Sequence, residues 1–197
     1  MIGTMKISAM SASDEEWKAK QMRASFEASL PERVRRASSV QLQHFIPAHW
    51  FAAAASECAG MYIAGYFYGA ISLAQAYVEA LSKYLAEHHR VPVRKDTEER
   101  FQRLHSGGVI SVDALSAALE ILSDRNDFHH LNKDVEQDFK NLEARAECCI
   151  NLIRSLESEV FAYSFTDENP GAAVLAKPDY WPSEGSMLAR VHLRSLW

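Results

Sequence analysis

The stretch CAGMYIAGYFYGAISLAQAYV, residues 58–78, decides how the chain folds, because it runs for 21 residues without a charged side chain. That length reaches the minimum for a membrane-spanning helix. Its apolar content, however, is largely Ala, Gly and Tyr, with Ser72 and Gln75 inside it, so its transfer into lipid is much weaker than that of a Leu-rich span. A helix that is apolar nearly all round is otherwise buried by neighbouring helices or by a second subunit. We therefore expect this stretch to lie inside a helical protein and not in a membrane.

The same helix extends on both sides of the uncharged stretch. Pro47 has the kind of first-turn position that tolerates proline, and residues 48–89 contain many alanines and no further proline. This pattern predicts one very long helix or two nearly collinear helices, ended by Pro92. A charged connection with a short helical piece follows, and Gly107 and Gly108 close it.

Two more helices are predicted further along the chain. Ser111 is a suitable N-cap for a helix that contains Leu115, Leu119 and Leu122. Asn132 can cap a later helix, whose apolar positions alternate in steps of four and three residues, a pattern typical of a buried helical seam. These positions are Val135, Phe139, Leu142, Ala146, Cys149, Ile153, Leu156 and Val160.

The ends of the chain differ from this central region. Residues 1–45 contain a helical segment with a poor apolar stripe, interrupted by Pro31. Residues 166–197 are rich in Pro and Gly, with Trp181 and Trp197 as candidate anchors. No segment shows the alternation that is typical of a strand.

We therefore predict an all-α protein in three parts. Residues 46–165 form an antiparallel helical bundle with a long central helix, residues 1–45 form an N-terminal helical arm, and residues 166–197 form an irregular C-terminal tail.

Composition limits the function. The formal net charge of the 197-residue chain is −5 at pH 7, and because Lys and Arg supply most non-specific affinity for phosphates, any RNA contact must be local. Cys58, Cys148 and Cys149 have neither the even number of a disulfide framework nor the spacing of a structural zinc site. Acidic residues 14–16 stand where a secretory signal would need an apolar core. We expect a cytoplasmic protein without metal or cofactor.

The densest group of polar residues with catalytic side chains is SDRNDFHHLNKD, residues 123–134. Arg125 offers a charged fork of donors that matches phosphate oxygens, and a histidine titrates near neutral pH. These two groups suffice to cleave RNA without a metal. An imidazole takes the proton from a 2′-hydroxyl, whose oxygen attacks the adjacent phosphorus, and the guanidinium stabilises the charge of the transition state.

The local backbone decides which histidine works with the arginine. In a continuous helix Arg125 shares a face with His129, and Asn126 shares a face with His130. If the helix breaks near Asp127, this rule no longer applies. A purely structural cluster is the alternative, in which the neighbouring aspartates pair with the arginine and no reaction takes place.

The string RNDFHH, with Arg125, Asn126 and His130, resembles the signature of HEPN domains (higher eukaryotes and prokaryotes nucleotide-binding): an arginine, often followed by asparagine, and a histidine after a short spacer. Its place between two helices, after the long helix, extends the resemblance over roughly residues 48–163. The resemblance implies that Arg125 and His130 are the catalytic pair and that Asn126 orients one of them. Glu79 stands where some members keep a polar residue near the motif; the alternative is an ordinary solvated or paired helix carboxylate.

The resemblance also implies an all-helical homodimer in which two copies of the motif face each other across one cleft. Many members are metal-independent endoribonucleases that leave a 2′,3′-cyclic phosphate, often as toxins in defence or toxin-antitoxin systems with an antitoxin partner. Others are non-catalytic modules that bind RNA or protein or that dimerise. We expect the endoribonuclease, with the non-catalytic module as the alternative.

The residues around the motif carry a net negative charge, whereas RNA binding favours positive charge. Residues 113–147 contain nine acidic and four basic residues, so this neighbourhood repels phosphates. Two basic groups elsewhere can compensate or can be solvated faces: Arg90, Arg94, Lys95, Arg100 and Arg103 in the charged connection, and Arg33, Arg35 and Arg36 in the arm.

Overall fold

The computed structural model describes residues 12–92, 96–130, 132, 133, 135, 138–166, 169–183 and 191–194. Within them, the helices are α1 (Ala12–Ser39), α2 (Ala52–Ala64), α3 (Phe67–His88), α4 (Thr97–Ser106), α5 (Val112–Leu122), α6 (Arg125–His130) and α7 (Phe139–Val160), and a 3₁₀ helix covers Pro178–Tyr180. The strands are β1 (Phe45–Pro47), β2 (Tyr163–Thr166), β3 (Asn169–Leu175) and β4 (Val191–Leu193). The chain is mostly helical, as predicted, and carries two small sheets that its pattern did not predict.

The uncharged stretch forms a hairpin of two helices instead of one long helix. Gly65 takes the left-handed conformation (φ 88°), and the N–H of Tyr66 donates to the carbonyl of Met61 at 2.8 Å. This helix end suits glycine, which has no Cβ to clash. α3 packs back along α2, where the Sγ of Cys58 donates to the carbonyl of Ala70 at 3.1 Å. The prediction of one long or two collinear helices is wrong, because a single left-handed residue reverses the chain.

The central bundle is built on α3, α5 and α7. The seam predicted on α7 is confirmed over most of its length, and its buried members are Leu142, Ala146, Cys149, Ile153, Leu156 and Val160. Phe139, the first residue of α7, is exposed instead. Burial of this seam against α3 and α5 is the main apolar contribution of α7 to stability.

One of the two predicted N-caps is confirmed, and the other is wrong. Ser111 caps α5 as expected, since its Oγ accepts a hydrogen bond from the N–H of Ala114 at 3.1 Å. α7 is capped by Asp138 and not by Asn132. The Nδ2 of Asn132 instead donates to the carboxylate of Asp127 at 2.7 Å, so it belongs to the end of α6.

The N-terminal arm is one helix of 28 residues, and Pro31 lies inside it instead of interrupting it. A proline removes one backbone hydrogen bond, and the helical segments on both sides of Pro31 keep theirs. Side chains 13–28 are all exposed, while Arg36 is buried and Ala37 packs against the core. α1 therefore leaves the bundle over most of its length.

The C-terminal segment contains regular structure and is not an irregular tail. β2 pairs antiparallel with β3, and β1 pairs antiparallel with β4, which places Ile46 opposite His192. Tyr180 and Trp181 are buried in the core, which confirms Trp181 as an anchor; Trp197 lies outside the described residues. Strands this short show little alternation, and β1 pairs with a strand far away in the chain, so local pattern could not predict them.

In the part of the chain that the structure describes, no helix has both the length and the apolar content needed to cross a membrane. The uncharged stretch that raised this question is divided between α2 and α3 and packs inside the bundle.

Candidate functional site

The motif begins at a tight turn between α5 and α6. Asp124 has a left-handed backbone (φ 58°), which aspartate tolerates better than most residues with a side chain. Its carbonyl accepts hydrogen bonds from the N–H groups of Asp127 at 2.9 Å and Phe128 at 3.2 Å. This turn allows a new helix to begin at Arg125, so that residues 125–130 form the short helix α6.

Two side chains from neighbouring helices hold the end of α5 in place. The buried Nε2 of Gln75, on α3, donates to the carbonyls of Ile121 at 3.2 Å and Ser123 at 3.3 Å. Arg145, on α7, donates to the carbonyl of Glu120 at 2.6 Å and to the Oγ of Ser123 at 2.7 Å. The last carbonyls of a helix have no partner within the helix, and these two side chains supply partners. The end of α5, residues 120–123, which forms the base of the motif, is therefore fixed to both α3 and α7.

Arg125 is paired within the protomer. Its Nη2 donates to the Oε2 of Glu79 at 2.5 Å, while the Nζ of Lys83 donates to Oε1 of the same carboxylate at 2.7 Å. The hydrogen bond from Lys83 lowers the pKa of Glu79, and the positive charges of Arg125 and Lys83 add to this effect, whereas partial burial opposes it. Glu79 is therefore ionised at neutral pH and partly neutralises the guanidinium, which remains 38% exposed.

A second guanidinium lies beneath this ion pair. Arg100 is buried, and its Nη1 donates to the Oγ of Ser82 at 2.6 Å. Burial lowers the pKa of Arg100, the charge of Arg125 acts in the same direction, and Glu79 and Asp96 oppose it. Arg100 thus belongs to the interior, where it cannot meet an RNA strand as a solvent-facing cation.

Among the other described basic residues of the charged connection, one is paired with a carboxylate and one is exposed. Arg103 pairs with Glu99 at 2.8 Å, one turn away on α4. Arg90 is exposed, and Arg94 and Lys95 lie outside the described residues. Within the described residues, this group therefore contains one buried, one paired and one exposed guanidinium.

Arg125 and His130, the catalytic pair that the HEPN resemblance implies, lie on different sides of α6. Because α6 runs without a break from Arg125 to His130, the condition for the shared-face rule is met. Arg125 and His129 lie on one face, whereas His130 lies about 140° around the helix from Arg125, on the side of Asn126. Both histidines and Asn126 are exposed to solvent.

The far end of α6 is held by its aspartate and its one buried residue. Phe128 is buried, with its ring centroid 5.9 Å from that of Tyr68 on α3. The carboxylate of Asp127 accepts the hydrogen bond from Asn132, and the backbone N–H of Asn132 donates to the carbonyl of Asp127 at 3.1 Å. Asp127 therefore terminates α6 and does not pair with Arg125.

An open groove runs beside Arg125, between α6 and the start of α4. The charged residues along it are Asp96, Glu98, Asp124, Arg125 and Asp127, four carboxylates against one guanidinium. Asp124 and Asp127, which belong to the acidic neighbourhood seen in the sequence, therefore lie in this groove together with Asp96 and Glu98. A polyanion entering this groove would be repelled everywhere except at Arg125.

Among the residues that the structure describes, no group of three or more His, Cys, Asp or Glu side chains is arranged to hold a metal ion.

Two of the three cysteines are packing residues. Cys58 and Cys149 are buried, and burial raises the pKa of both thiols, that of Cys149 to about 11, while Cys148 is exposed.

The sequence pattern missed a second polar cluster at the other end of the bundle. Glu157, on α7, accepts two hydrogen bonds from Arg194, at 2.6 and 2.7 Å, and a third from the hydroxyl of Tyr77 at 2.7 Å. The Nε of Arg194 donates to the Oγ of Ser56 at 3.2 Å. The burial of Glu157 could not be predicted from the sequence, because the apolar positions of α7 keep their regular spacing on both sides of this glutamate.

Comparison of this chain with protein-family models, with curated proteins and with solved structures gave no match.

Proposed function

We propose that the chain is a metal-independent endoribonuclease of HEPN type that acts in the cytoplasm as a homodimer. Arg125 and His130 are its proposed catalytic pair, with Asn126 and His129 as supporting residues. The observation that carries the proposal is α6, which presents one guanidinium and two solvent-exposed imidazoles on a short helix whose base is fixed to α3 and α7. A rigid base of this kind is what a reaction that depends on precise placement requires.

The proposed reaction needs no group beyond these side chains and RNA. A neutral imidazole removes the proton from a 2′-hydroxyl, the 2′-oxygen forms a bond to the adjacent phosphorus, and the bond from phosphorus to the 5′-oxygen breaks. The leaving 5′-oxygen takes a proton from a second imidazole that is in its protonated form, so that one proton is removed and one is supplied. The products are a 2′,3′-cyclic phosphate and a 5′-hydroxyl, and the guanidinium stabilises the charge on the phosphoryl oxygens during the reaction.

The positions of Arg125 and His130 around α6 explain why the proposed reaction needs two copies of the chain. In one protomer Arg125 and His130 lie on different sides of α6, so they cannot both meet one phosphate from the same face. Two motifs that face each other across a cleft remove this difficulty, because Arg125 of one copy can approach the imidazole of the other. Dimerisation is therefore part of the proposed mechanism.

The test is RNA cleavage in a metal chelator. Purified chain is incubated with end-labelled single-stranded RNA, and the fragments are analysed for cyclic phosphate ends. We expect Arg125→Ala and His130→Ala to lower the rate by about 100-fold or more, while His44→Ala, a matched change at an exposed histidine outside the motif, keeps the wild-type rate. Intact RNA with the wild-type chain, or cleavage that survives both motif changes, would refute the proposal.

A non-catalytic HEPN-like module is the second candidate, and one observation favours it. Arg125 already has a carboxylate partner in Glu79, and four carboxylates line the groove beside it. In this case the motif is a structural ion pair, and α6 with its acidic groove binds a basic protein surface. In a toxin-antitoxin or other defence setting, that surface would belong to an antitoxin.

A further inference from the structure

Ser56, in the middle of α2, lies within hydrogen-bond distance of two side chains from the C-terminal segment. Its Oγ is 3.1 Å from the Nε2 of His192, and the Nε of Arg194 donates to the same oxygen at 3.2 Å. His192 and Arg194 reach the same serine because residues two apart in an extended segment point to the same side. A hydroxyl this close to an imidazole has the geometry of a nucleophile with its base.

The serine also lines a cavity. Residues from the end of α1, the segment 40–43, α2 and the C-terminal segment surround a space of about 370 Å³, and Ser56 is half-buried in its wall. This volume lies in the range of small-molecule sites. A molecule in the cavity therefore has access to Ser56. The apolar residues of the wall are Ala37, Val40, Leu42, Ala59 and Ile63.

The charge at the cavity is already compensated. Arg194 lines the wall, but its Nη1 and Nη2 donate to the buried carboxylate of Glu157 at 2.6 and 2.7 Å, and Nη1 also donates to the carbonyl of Gln43 at 3.2 Å. An anionic ligand would have to compete with Glu157 for this guanidinium. The cavity therefore favours an uncharged molecule.

An unpartnered polar atom in the same wall indicates that the ligand carries a hydrogen-bond donor. The Oε1 of Gln43 is buried and has no hydrogen-bond partner within the described part of the chain, and Gln43 lines the cavity together with Ser56. A buried acceptor without a partner costs free energy. An N–H or O–H group of a bound molecule would remove this cost.

The environment of His192 suits a base. Burial lowers the pKa of His192, and the charge of Arg194 lowers it further, whereas Glu157 opposes the shift. The imidazole is therefore neutral at pH 7, as it must be to accept a proton. Because Arg194 donates to the Oγ of Ser56, the hydrogen of the hydroxyl is free to point at His192, and one lone pair of the oxygen remains for attack.

We propose that Ser56 and His192 form a nucleophile and its general base, which hydrolyse small uncharged esters bound in this cavity. The apolar wall fits an apolar acyl group, and Arg194 positions the serine without touching the substrate. This activity goes beyond the proposed ribonuclease and does not depend on it, because it uses no residue of the motif.

The proposed reaction has two steps and needs only the ester and water. The Oγ of Ser56 forms a bond to the carbonyl carbon while its proton moves to the Nε2 of His192, and the alcohol leaves with that proton when the ester C–O bond breaks. Water then attacks the acyl-serine and gives a proton to His192, which returns it to the departing Oγ. The products are a carboxylic acid and an alcohol.

The first experiment tests whether Ser56 is a nucleophile. The purified full chain is treated with an alkyl fluorophosphonate, which forms a bond from phosphorus to an activated serine oxygen and releases hydrogen fluoride, and the label is located by peptide mass mapping. We expect the label at Ser56, and we expect Ser56→Ala to abolish it. Ser155→Ala, a matched change at an exposed serine of α7, and Arg125→Ala in the motif should both keep it.

The second experiment measures hydrolysis of p-nitrophenyl butyrate. We expect His192→Gln to lower the rate by about 100-fold or more, because the serine remains and its base is lost, while Ser155→Ala keeps the wild-type rate. In the wild type the rate should be constant above about pH 6.5 and fall at lower pH as His192 becomes protonated. Circular dichroism checks that the variants are folded.

The wild-type chain by itself decides the case if a variant does not fold. No label on the wild type, or a label at another residue, would overturn the proposal and would leave a hydrogen-bonded network that fastens β4 to α2. Labelling and hydrolysis that a folded His192→Gln variant retains in full would exclude His192 as the base and overturn it as well.

Discussion

Two pairs of arginine and glutamate in this protein have similar contact distances and very different surroundings. Glu157 and Arg194 are joined at 2.6 Å with side chains that are 0% and 4% exposed, whereas Glu79 and Arg125 are joined at 2.5 Å with side chains that are 24% and 38% exposed. The first pair also has Tyr77, which donates to Glu157 from α3. The second pair shares its carboxylate with Lys83 and lies at the edge of an open groove.

The difference in burial separates a structural ion pair from one that can take part in binding. A buried pair loses hydration on both sides, so its two charges depend on each other, and removal of one leaves the other without compensation. A partly exposed pair gains little free energy, because water competes for both groups, and its arginine can exchange a carboxylate for a phosphate. We therefore assign Arg194 to stability and Arg125 to the candidate site.

The largest expected effect tests the buried pair. We expect Glu157→Gln to lower the free energy of unfolding by about 3–5 kcal/mol, since Arg194 keeps its charge in the interior and loses its ionised partner. Urea denaturation measures this change. Glu87→Gln, an exposed glutamate on α3, is the matched control and should change the free energy by less than about 0.5 kcal/mol.

A double substitution sharpens this test. Glu157→Leu combined with Arg194→Met removes both charges together, so it should recover part of the stability that Glu157→Gln loses. A loss of less than about 1 kcal/mol in the single variant would show that the buried pair does not hold the C-terminal segment to the bundle.

A smaller effect is expected for the exposed pair. Glu79→Gln should change the free energy of unfolding by less than about 1 kcal/mol, because both partners are partly solvated. It removes the carboxylate that neutralises Arg125, so at low salt we expect RNA to bind severalfold more tightly, as measured by fluorescence anisotropy. Unchanged RNA binding in Glu79→Gln would indicate that Arg125 is a structural residue and would favour the non-catalytic module.

The smallest expected effect concerns the histidines packed against the C-terminal segment. The Nε2 of His49 donates to the carbonyl of Tyr180 at 2.8 Å. Burial lowers the pKa of His49, this hydrogen bond opposes the shift, and the charge of His88 acts in the same direction as burial. Because the folded-state pKa lies below the unfolded value of about 6.5, the unfolded chain binds the proton first as the pH falls. Stability should therefore be full above about pH 6.5 and decline below it.

Denaturation of the wild type and His49→Gln at pH 7 and pH 5 measures this contribution. We expect the wild type to lose more stability between the two values than the variant, because the variant lacks one of the groups that resist protonation in the folded state. An equal loss in both proteins would exclude His49 as a cause of the pH dependence.

Parts of the fold and of the site could be predicted because they depend on residues close together in the chain. The N-cap at Ser111 and the short helix closed by Gly107 follow from local hydrogen bonding, and both are present. Helical periodicity predicts that Arg125 and His129 share one face of a continuous helix, and α6 is continuous over both residues. The reversal at Gly65 was missed, because a glycine within an alanine-rich stretch fits a helix interior and a left-handed helix end equally well.

Contacts between distant residues could not be predicted in the same way. Gln75 holds the end of α5 from 46 residues before Ile121, and Arg145 holds it from 22 residues after Ser123, so no local pattern connects them. The pairing of β1 with β4 and the contact between Arg194 and Glu157, which are 37 residues apart, likewise join residues that are distant in the chain.

The amino-acid sequence by itself determined the helical class, the buried seam of α7 and the place of the motif between two helices, since periodicity and capping act within a few turns. Only the tertiary structure decided that the central stretch folds into a hairpin, that Arg125 has a carboxylate partner in Glu79, and that Arg194 lies buried against Glu157. The physical reason is that these features depend on the free energy of bringing distant side chains together, which is set by their surroundings and not by their neighbours in sequence.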